Sequence, residues 1–260
     1  FFVHDGGETQ QWRLKGHAKK DFWKWLASWS VAMRRPSDLG YADGGFMLPS
    51  LKVEQITVDS PVMEGRLFAD EAKTLTERRA AKKDSLELRV DATAELVNIA
   101  QPEKQWLVWC NLNIEADALK KAIPGAVEVR GNHSEDYKRK AVMDFIDGKV
   151  RVLISKPSMF GFGLNLQCCS RMAFVGLSDS FEQLYQGTRR CWRFGQTEEV
   201  ESYHIVSEAE GSIVTNLQRK ESQAAEMMEE IVKEMKDITI EELSLKSEHL
   251  ESDYIEDSRE

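Results

Sequence analysis

Cysteine and histidine are scarce in this chain. The four cysteines are Cys110, Cys168, Cys169 and Cys191, the five histidines are scattered, and no Cys-x-x-Cys pair occurs. That spacing excludes a zinc framework and assigns no residue to metal ligation, and it fits buried reduced thiols in the cytoplasm. Apolar runs of membrane-spanning length are missing, as is a secretory leader, so no membrane partner is expected. A Gly-x-x-x-x-Gly-Lys-Ser/Thr phosphate loop is absent too, and so is an Asp-Glu-x-His metal-binding motif. Nothing in this chain is therefore expected to hold β- and γ-phosphates or position magnesium by itself.

A basic excess is also lacking. Lysine and arginine number 35 against 44 acidic residues, a formal charge of −9. Much of this sits in the last twenty residues, where Glu241, Glu242, Glu248, Glu251, Asp253, Glu256, Asp257 and Glu260 face only Lys246 and Arg259. The remainder is nearly neutral, so a nucleic-acid partner needs a local basic patch rather than a global field. What is present is a hydrophobic content of 42% over 260 residues, enough for one cored domain with appendages. Phe1 is not an initiator methionine, and the chain is expected to be part of something longer.

Residues 1–16 suit two short extended pieces around a turn. From His17 to Arg35, Phe22, Trp25 or Leu26, Trp29 and Ala32 or Met33 recur at helical spacing, Trp23 lies off that stripe, and Pro36 ends the pattern. This predicts a helix packed on a core in preference to a stacking platform for nucleic-acid bases. Pro36–Ser60 is loop-like, with Val53–Val58 alternating as a short strand. Asp70–Lys83 reads as a solvated helix, where Arg78, Arg79, Lys82 and Lys83 are more simply wet surface than backbone contacts. Leu86–Ala100 is a further helix.

From Gln105 the pattern changes. Strand-like runs at Trp106–Cys110, Ala126–Arg130, Val150–Ser155, Met172–Gly176 and Val200–Val206 alternate with helical patterns at Ile114–Ile123, Ser134–Asp147 and Ser180–Arg193. Several strands lack polar alternation and the connections are short. The expected fold is α/β, a parallel sheet with helices on both faces. Sites in such sheets form on the loops leaving the carboxyl ends of the strands. One such loop is Arg130-Gly131-Asn132-His133-Ser134, with Ser134 as helix cap. Another is Ser155-Lys156-Pro157-Ser158, continuing to Gly161-Phe162-Gly163-Leu164-Asn165-Leu166-Gln167, where Lys156, Ser158, Asn165 and Gln167 supply polar contacts. A helix from Ser212 to Lys236 carries an apolar stripe, and an acidic, solvated tail follows Asp237.

The third loop opens the most informative stretch, Ser178 to Gln196. Ser180 is an N-cap with Gln183 three residues on, and Gly195 suits a left-handed C-terminal cap. At about 100° per residue, Gln186, Arg189, Arg190 and Arg193 share one face, opposite Phe181, Leu184, Thr188, Cys191 and Trp192. Guanidinium groups grip phosphate oxygens with paired hydrogen bonds, and Arg190 and Arg193 are spaced to address one phosphate.

Gln186-x-x-x-Arg190-x-x-Arg193-x-Gly195-Gln196 resembles the last motif of superfamily two helicases in the form found in Swi/Snf-type ATPases. Gly161-x-Gly163-x-Asn165-Leu166 resembles that family's penultimate motif, with wording closest to phage or mobile-element proteins. The resemblance implies a second RecA-like lobe over 105–209. Residues 1–16 would be the tail of a first lobe, 17–104 a mainly helical linker, 210–237 a C-terminal helix and 238–260 a flexible acidic tail. It implies arginine fingers at Arg190 and Arg193, and contact with ATP from Gly163, Gln186, Arg190 and Arg193. Nucleic-acid contacts fall to Gly131, Asn132, Lys156, Ser158 and Asn165. The implied cofactors are ATP and Mg²⁺, held mainly by a first lobe. The implied partners are DNA, with RNA open, and that first lobe, in a bacterial or phage-infected cell. The alternative is a non-catalytic RecA-like module that binds nucleic acid or protein. By this reading the chain alone is inactive as an ATPase.

Overall fold

The structure is a computed structural model, and it describes residues 1–4, 12–30, 33–59, 83–160 and 164–256. The segments expected at 70–82 and at Gly161–Gly163 lie outside the described residues. In chain order the elements are β1 (Phe2–His4), β2 (Trp12–Leu14), α1 (Lys19–Ala27), β3 (Leu51–Val58), α2 (Leu86–Glu95), β4 (Trp106–Cys110), α3 (Asn113–Ala122) and β5 (Val127–Glu128). They continue with α4 (Glu135–Ile146), β6 (Val152–Ser155), α5 (Pro157–Phe160), β7 (Arg171–Val175), α6 (Phe181–Thr188), β8 (Val200–Ser207) and α7 (Gly211–Glu256). Two compact units form, one from Phe1–Met47 with Ser222–Glu260 and one from Leu48–Glu221.

The larger unit is built on a six-stranded sheet in the order β3-β8-β7-β4-β6-β5, parallel throughout. The run Trp106-Leu107-Val108-Trp109-Cys110 explains why it must be covered on both sides, because all five side chains are buried. Leu107 and Trp109 face a core closed by Ala141, Val142 and Phe145 of α4 and by Ile213 and Leu217 of α7. Trp106, Val108 and Cys110 face the opposite core, closed by Val90 of α2 and by Ala116 and Leu119 of α3. Burial of the Cys110 thiol, first, and then the Glu115 carboxylate raise its pKa to about 12. The strand seen at Val53–Val58 joins this sheet as β3, pairing in parallel with β8 from Leu51↔Val200 to Val58↔Ser207. Its solvent-facing alternation suits an edge position.

The helix expected over Leu86–Ala100 is α-helical to Glu95 and then widens into a π-turn over Leu96–Ala100. Arg151 compensates there, donating from Nη1 to the Val97 carbonyl at 2.9 Å and from Nη2 to Asn98 Oδ1 at 3.0 Å.

In the smaller unit β1 and β2 form an antiparallel ribbon beside α1. The helix expected through Arg35 stops at Ala27. Beyond it Ser28 Oγ donates to the Trp25 carbonyl at 2.7 Å and Ser30 Oγ to the Leu26 carbonyl at 2.8 Å, while the Trp29 N–H bonds the Leu26 carbonyl at 3.3 Å in place of the helical Trp25 carbonyl. The expected stripe divides, with Phe22 and Leu26 turned inward and Trp25 and Trp29 outward. Trp23 is the buried residue, 6% exposed, packed on Ile231 of α7 with Leu14, Phe22 and Leu26 around it, while Trp25 and Trp29 lie on the surface. No helix among the described residues is long and apolar enough to cross a membrane.

Candidate functional site

Every loop singled out from the sequence leaves the carboxyl edge of this sheet, where parallel-sheet proteins place ligands. Two of them are fixed side by side. Strands β5 and β6 are neighbours, Val129 N–H donates to the Ile154 carbonyl at 2.9 Å, and Ser155 Oγ donates to the Val129 carbonyl at 3.1 Å. Arg130–Ser134 therefore lies next to the segment beginning at Lys156.

Within the first loop the Arg130 backbone N–H donates to His133 Nδ1 at 3.1 Å, and the His133 ring stacks edge-on against Tyr137 with centroids 4.6 Å apart. Ser134 caps α4, accepting from the Tyr137 N–H at 3.3 Å. The Arg130 side chain pairs with Glu128 and Asp117, and those carboxylates raise its pKa. Arg130 is thus internally neutralised. Gly131 and Asn132 remain exposed at the tip, while in the second loop Ser158 and Asn165 are exposed and Lys156 is half-buried. Gly163 lies outside the described residues.

The arginine stretch departs from the single long helix that periodicity suggests. Ser180 does cap it, accepting from the Gln183 N–H at 3.3 Å, but α6 ends at Thr188 and the arginines occupy the turn that follows. Arg190 itself supplies the reason. In a continuing helix its backbone N–H would bond the Gln186 carbonyl. Instead its side-chain Nε takes that carbonyl at 3.1 Å, and its backbone N–H drops to Gly187 at 3.2 Å. Gly195 has a left-handed backbone, φ 93°, but it closes this turn rather than capping α6.

The turn nevertheless gathers the expected residues. Arg190 Nη2 donates to Gln186 Oε1 at 2.9 Å, Arg190 Nη1 to the Leu164 carbonyl at 3.1 Å, and Arg193 Nη1 to the same carbonyl at 3.3 Å. Leu166 N–H donates in return to the Arg190 carbonyl at 3.0 Å. The helix end and the segment leaving Gly163 are clasped in both directions. Arg190 is 6% exposed, and burial, followed by the Arg193 charge, lowers its pKa. Arg193 is half-buried. Arg189, which helical spacing puts on the same face, turns away to stack on Trp192 at 4.7 Å and Tyr185 at 5.5 Å.

Below the same sheet edge lies a feature the sequence reading missed. Arg89 of α2 is fully buried, and its Nη1 is 2.8 Å from Glu115 Oε1, with Glu210 Oε2 4.0 Å from its Nε. The carboxylates also hold strand exits. Glu115 Oε2 accepts from the Asn111 and Leu112 N–H groups at 2.8 and 2.9 Å, and Glu210 Oε2 from the Ser207 N–H at 2.9 Å. Asn111 Nδ2 donates to the Gly176 carbonyl at 2.8 Å, which ties β4 to β7. A shallow cleft opens beside these exits, lined by Trp109, Asn111, Gly176, Ser178 and Gln183. An acid five residues beyond a strand is the only local signal for Glu115. Glu210 is the acid of a Ser207-x-x-Glu210 capping box, and Arg89 carries no local signal.

Residues 89–195 match the family of the helicase conserved C-terminal domain. The match runs from Arg89 in α2 through the arginine turn to Gly195, and so spans the sheet-edge loops just described. No curated protein matches the chain. Among solved structures, the C-terminal part of the Fun30 ATPase domain is similar at 18% identity and a TM-score of 0.44, over 62% of this chain and 56% of that one. The RNA-helicase Prp28 from Chaetomium thermophilum bound to ADP is similar at 10% identity and a TM-score of 0.49, over 68% of this chain and 37% of that one. The chain therefore spans little more than half of the first of these and little more than a third of the second.

Proposed function

We propose that the chain is the second motor lobe of a superfamily two, Swi/Snf-type translocase that uses ATP to move along nucleic acid, with DNA the favoured track and a phage or mobile-element protein the favoured source. The observation that carries this is the convergence of Arg190 and Arg193 on the Leu164 carbonyl, with Gln186 Oε1 accepting from Arg190, beside loops suited to a phosphate backbone. Gly131 and Asn132, with Lys156, Ser158 and Asn165 on the neighbouring loop, would follow that backbone. Such contacts carry little sequence preference and a strong salt dependence.

The chemistry of the turn fits a phosphoryl group. ATP, with Mg²⁺ held by a first lobe, would supply a phosphoryl group whose transfer spreads negative charge over its oxygens. Arg193 is the arginine placed to meet that charge, since it spends one bond on Leu164 and keeps part of its surface open. Arg190 has its Nε, Nη1 and Nη2 engaged by Gln186 and Leu164, so it holds the turn in shape and would reach a phosphate only by exchanging those bonds. An arginine delivered from a second lobe is worth about 10³–10⁵ in rate.

The test is an ATPase assay on the product of the complete open reading frame that encodes this chain, with single- and double-stranded DNA and RNA. Stimulated turnover that Arg193→Ala removes supports the motor. Robust turnover by the present 260 residues alone, or stimulation that survives Arg193→Ala, would sink it.

A further inference from the structure

Arg89, Glu115 and Glu210 form a buried cluster that the motor reading leaves without a task. All three residues are 0% exposed. Taking a cation and two carboxylates out of water is costly, and a buried ion pair can often be replaced by well-packed apolar residues with no loss of stability. Stability is therefore a poor reason for the cluster, and its geometry offers a better one.

Arg89 meets three neighbouring strands where they leave the sheet. β8, β7 and β4 lie side by side in that order. At the β4 exit, Glu115 takes Arg89 Nη1 on one oxygen at 2.8 Å and the Asn111 and Leu112 N–H groups on the other at 2.8 and 2.9 Å. At the β8 exit, Glu210 Oε2 lies 4.0 Å from Arg89 Nε and accepts from the Ser207 N–H at 2.9 Å and the Ser207 hydroxyl at 3.1 Å. At the β7 exit, Arg89 Nη1 occupies the space a side chain on Gly176 would need, and Asn111 Nδ2 donates to the Gly176 carbonyl at 2.8 Å. Ser85 Oγ, at the cap position of α2, accepts from Arg89 Nε at 3.1 Å and orients the guanidinium. A planar fork can serve these directions at once, whereas a lysine ammonium is one point of charge on a flexible stem.

The β7 exit is the one that leads to the arginines. Two residues past Gly176, Ser178 Oγ accepts from the Ser180 N–H at 3.4 Å and donates to Gln183 Oε1 at 3.3 Å. Ser180 then caps α6, which carries Gln186 and ends in the turn of Arg190 and Arg193. We infer that Arg89 is a positioning residue for the arginine turn: through Glu115, Asn111 and Gly176 it fixes the direction in which β7 releases α6, and so where Arg190 and Arg193 stand. The placement of the turn is a property of this chain alone, while its consequence for turnover rests on the proposed motor function.

The test compares the wild type with two variants of the full chain. Arg89→Lys keeps the charge and loses the fork. Arg89→Met with Glu115→Gln and Glu210→Gln removes every charge of the cluster, which leaves no buried ion unpaired and keeps the chain folded where Arg89→Lys does not. Amide hydrogen exchange follows the Leu166 and Trp192 N–H groups, bonded to the Arg190 and Thr188 carbonyls, against the Val129 N–H, bonded to Ile154 on the far side of the sheet. In the variants the two turn amides are expected to exchange at least about tenfold faster relative to Val129 than in the wild type. In the complete protein Arg89→Lys is expected to lower the stimulated kcat by about 10²-fold with little change in KM for ATP. A uniform rise in exchange at Leu166, Trp192 and Val129 would reduce Arg89 to a stabilising residue and overturn the inference, as would turn amides that exchange as in the wild type. Unchanged kcat in Arg89→Lys, beside a stimulated wild type, would overturn it as well. A wild type without stimulated turnover would sink the motor alone and leave the exchange result to decide the positioning.

Discussion

Arg190 and Leu164 hold each other across the two segments that the family resemblance assigns to the last two motifs. The guanidinium donates to the Leu164 carbonyl at 3.1 Å, and the chain two residues on returns a bond from Leu166 N–H to the Arg190 carbonyl at 3.0 Å. Arg190→Ala would strip the part-buried carbonyls of Leu164 and Gln186 of a charged donor. The expected cost is about 2–3 kcal/mol, measured by urea unfolding of the chain. Arg193→Ala removes a longer bond from a half-buried side chain and should cost less than about 1 kcal/mol. Equal losses at the two positions would contradict this division of labour.

Under the proposed function the same division should separate the two arginines in turnover. In the complete protein Arg193→Ala should lower nucleic-acid-stimulated ATP hydrolysis by about 10³-fold or more with only a small loss of thermal stability. Arg190→Ala should lower turnover and melting temperature together. A scanning calorimeter and a coupled ATPase assay on the same preparations distinguish the two patterns.

Gly176 is held open by a residue far away in sequence. Its φ is 74°, and a Cβ built there would stand 2.6 Å from Arg89 Nη1, the nitrogen paired with Glu115. Gly176→Ala therefore combines a left-handed backbone with a clash at a buried ion pair. It should destabilise by about 2–4 kcal/mol in chemical denaturation. Arg89→Met, which leaves Glu115 and Glu210 without their cation, should cost about 3–5 kcal/mol. Combining Arg89→Met with Glu115→Gln should recover part of that loss, because the buried charge goes with its partner.

What the sequence revealed and what it hid follow from the range of the interactions involved. β4, and β7 from Met172 on, were legible because a strand buried on both faces must be apolar at every buried position. Ser180 and Ser134 were legible because a cap acts within three residues. The end of α6 was not, because it depends on the Arg190 side chain folding back onto Gln186 and across to Leu164, 26 residues away. Trp23 and Trp25 could not be told apart for a similar reason. Helical spacing defines faces, and only Ile231, far along the chain, decides which face is covered. The Arg89–Glu115–Glu210 cluster joins three elements that no local window contains.

His204 gives the chain a pH-dependent stability with a sign that can be worked out in advance. Its ring lies edge-on to Phe174 at 5.4 Å, its Nε2 is 3.3 Å from Ser202 Oγ, and burial lowers its pKa from 6.5 to about 4. The folded chain thus keeps the imidazole neutral at a pH where the unfolded chain already binds a proton. Above about pH 6.5 both states are neutral and His204 contributes no pH dependence. Between 6.5 and about 4 the unfolded state alone is protonated, so stability falls as the pH falls, by up to about 3 kcal/mol in total. Below about 4 the slope from this residue ends. Carboxylates add their own slope at the acid end, so the wild type is compared with His204→Phe, which keeps a ring against Phe174 and removes the proton site. The difference in unfolding free energy between the two proteins should change across pH 6.5 to 4 and level off on either side. A constant difference over that window would show that His204 titrates alike in both states.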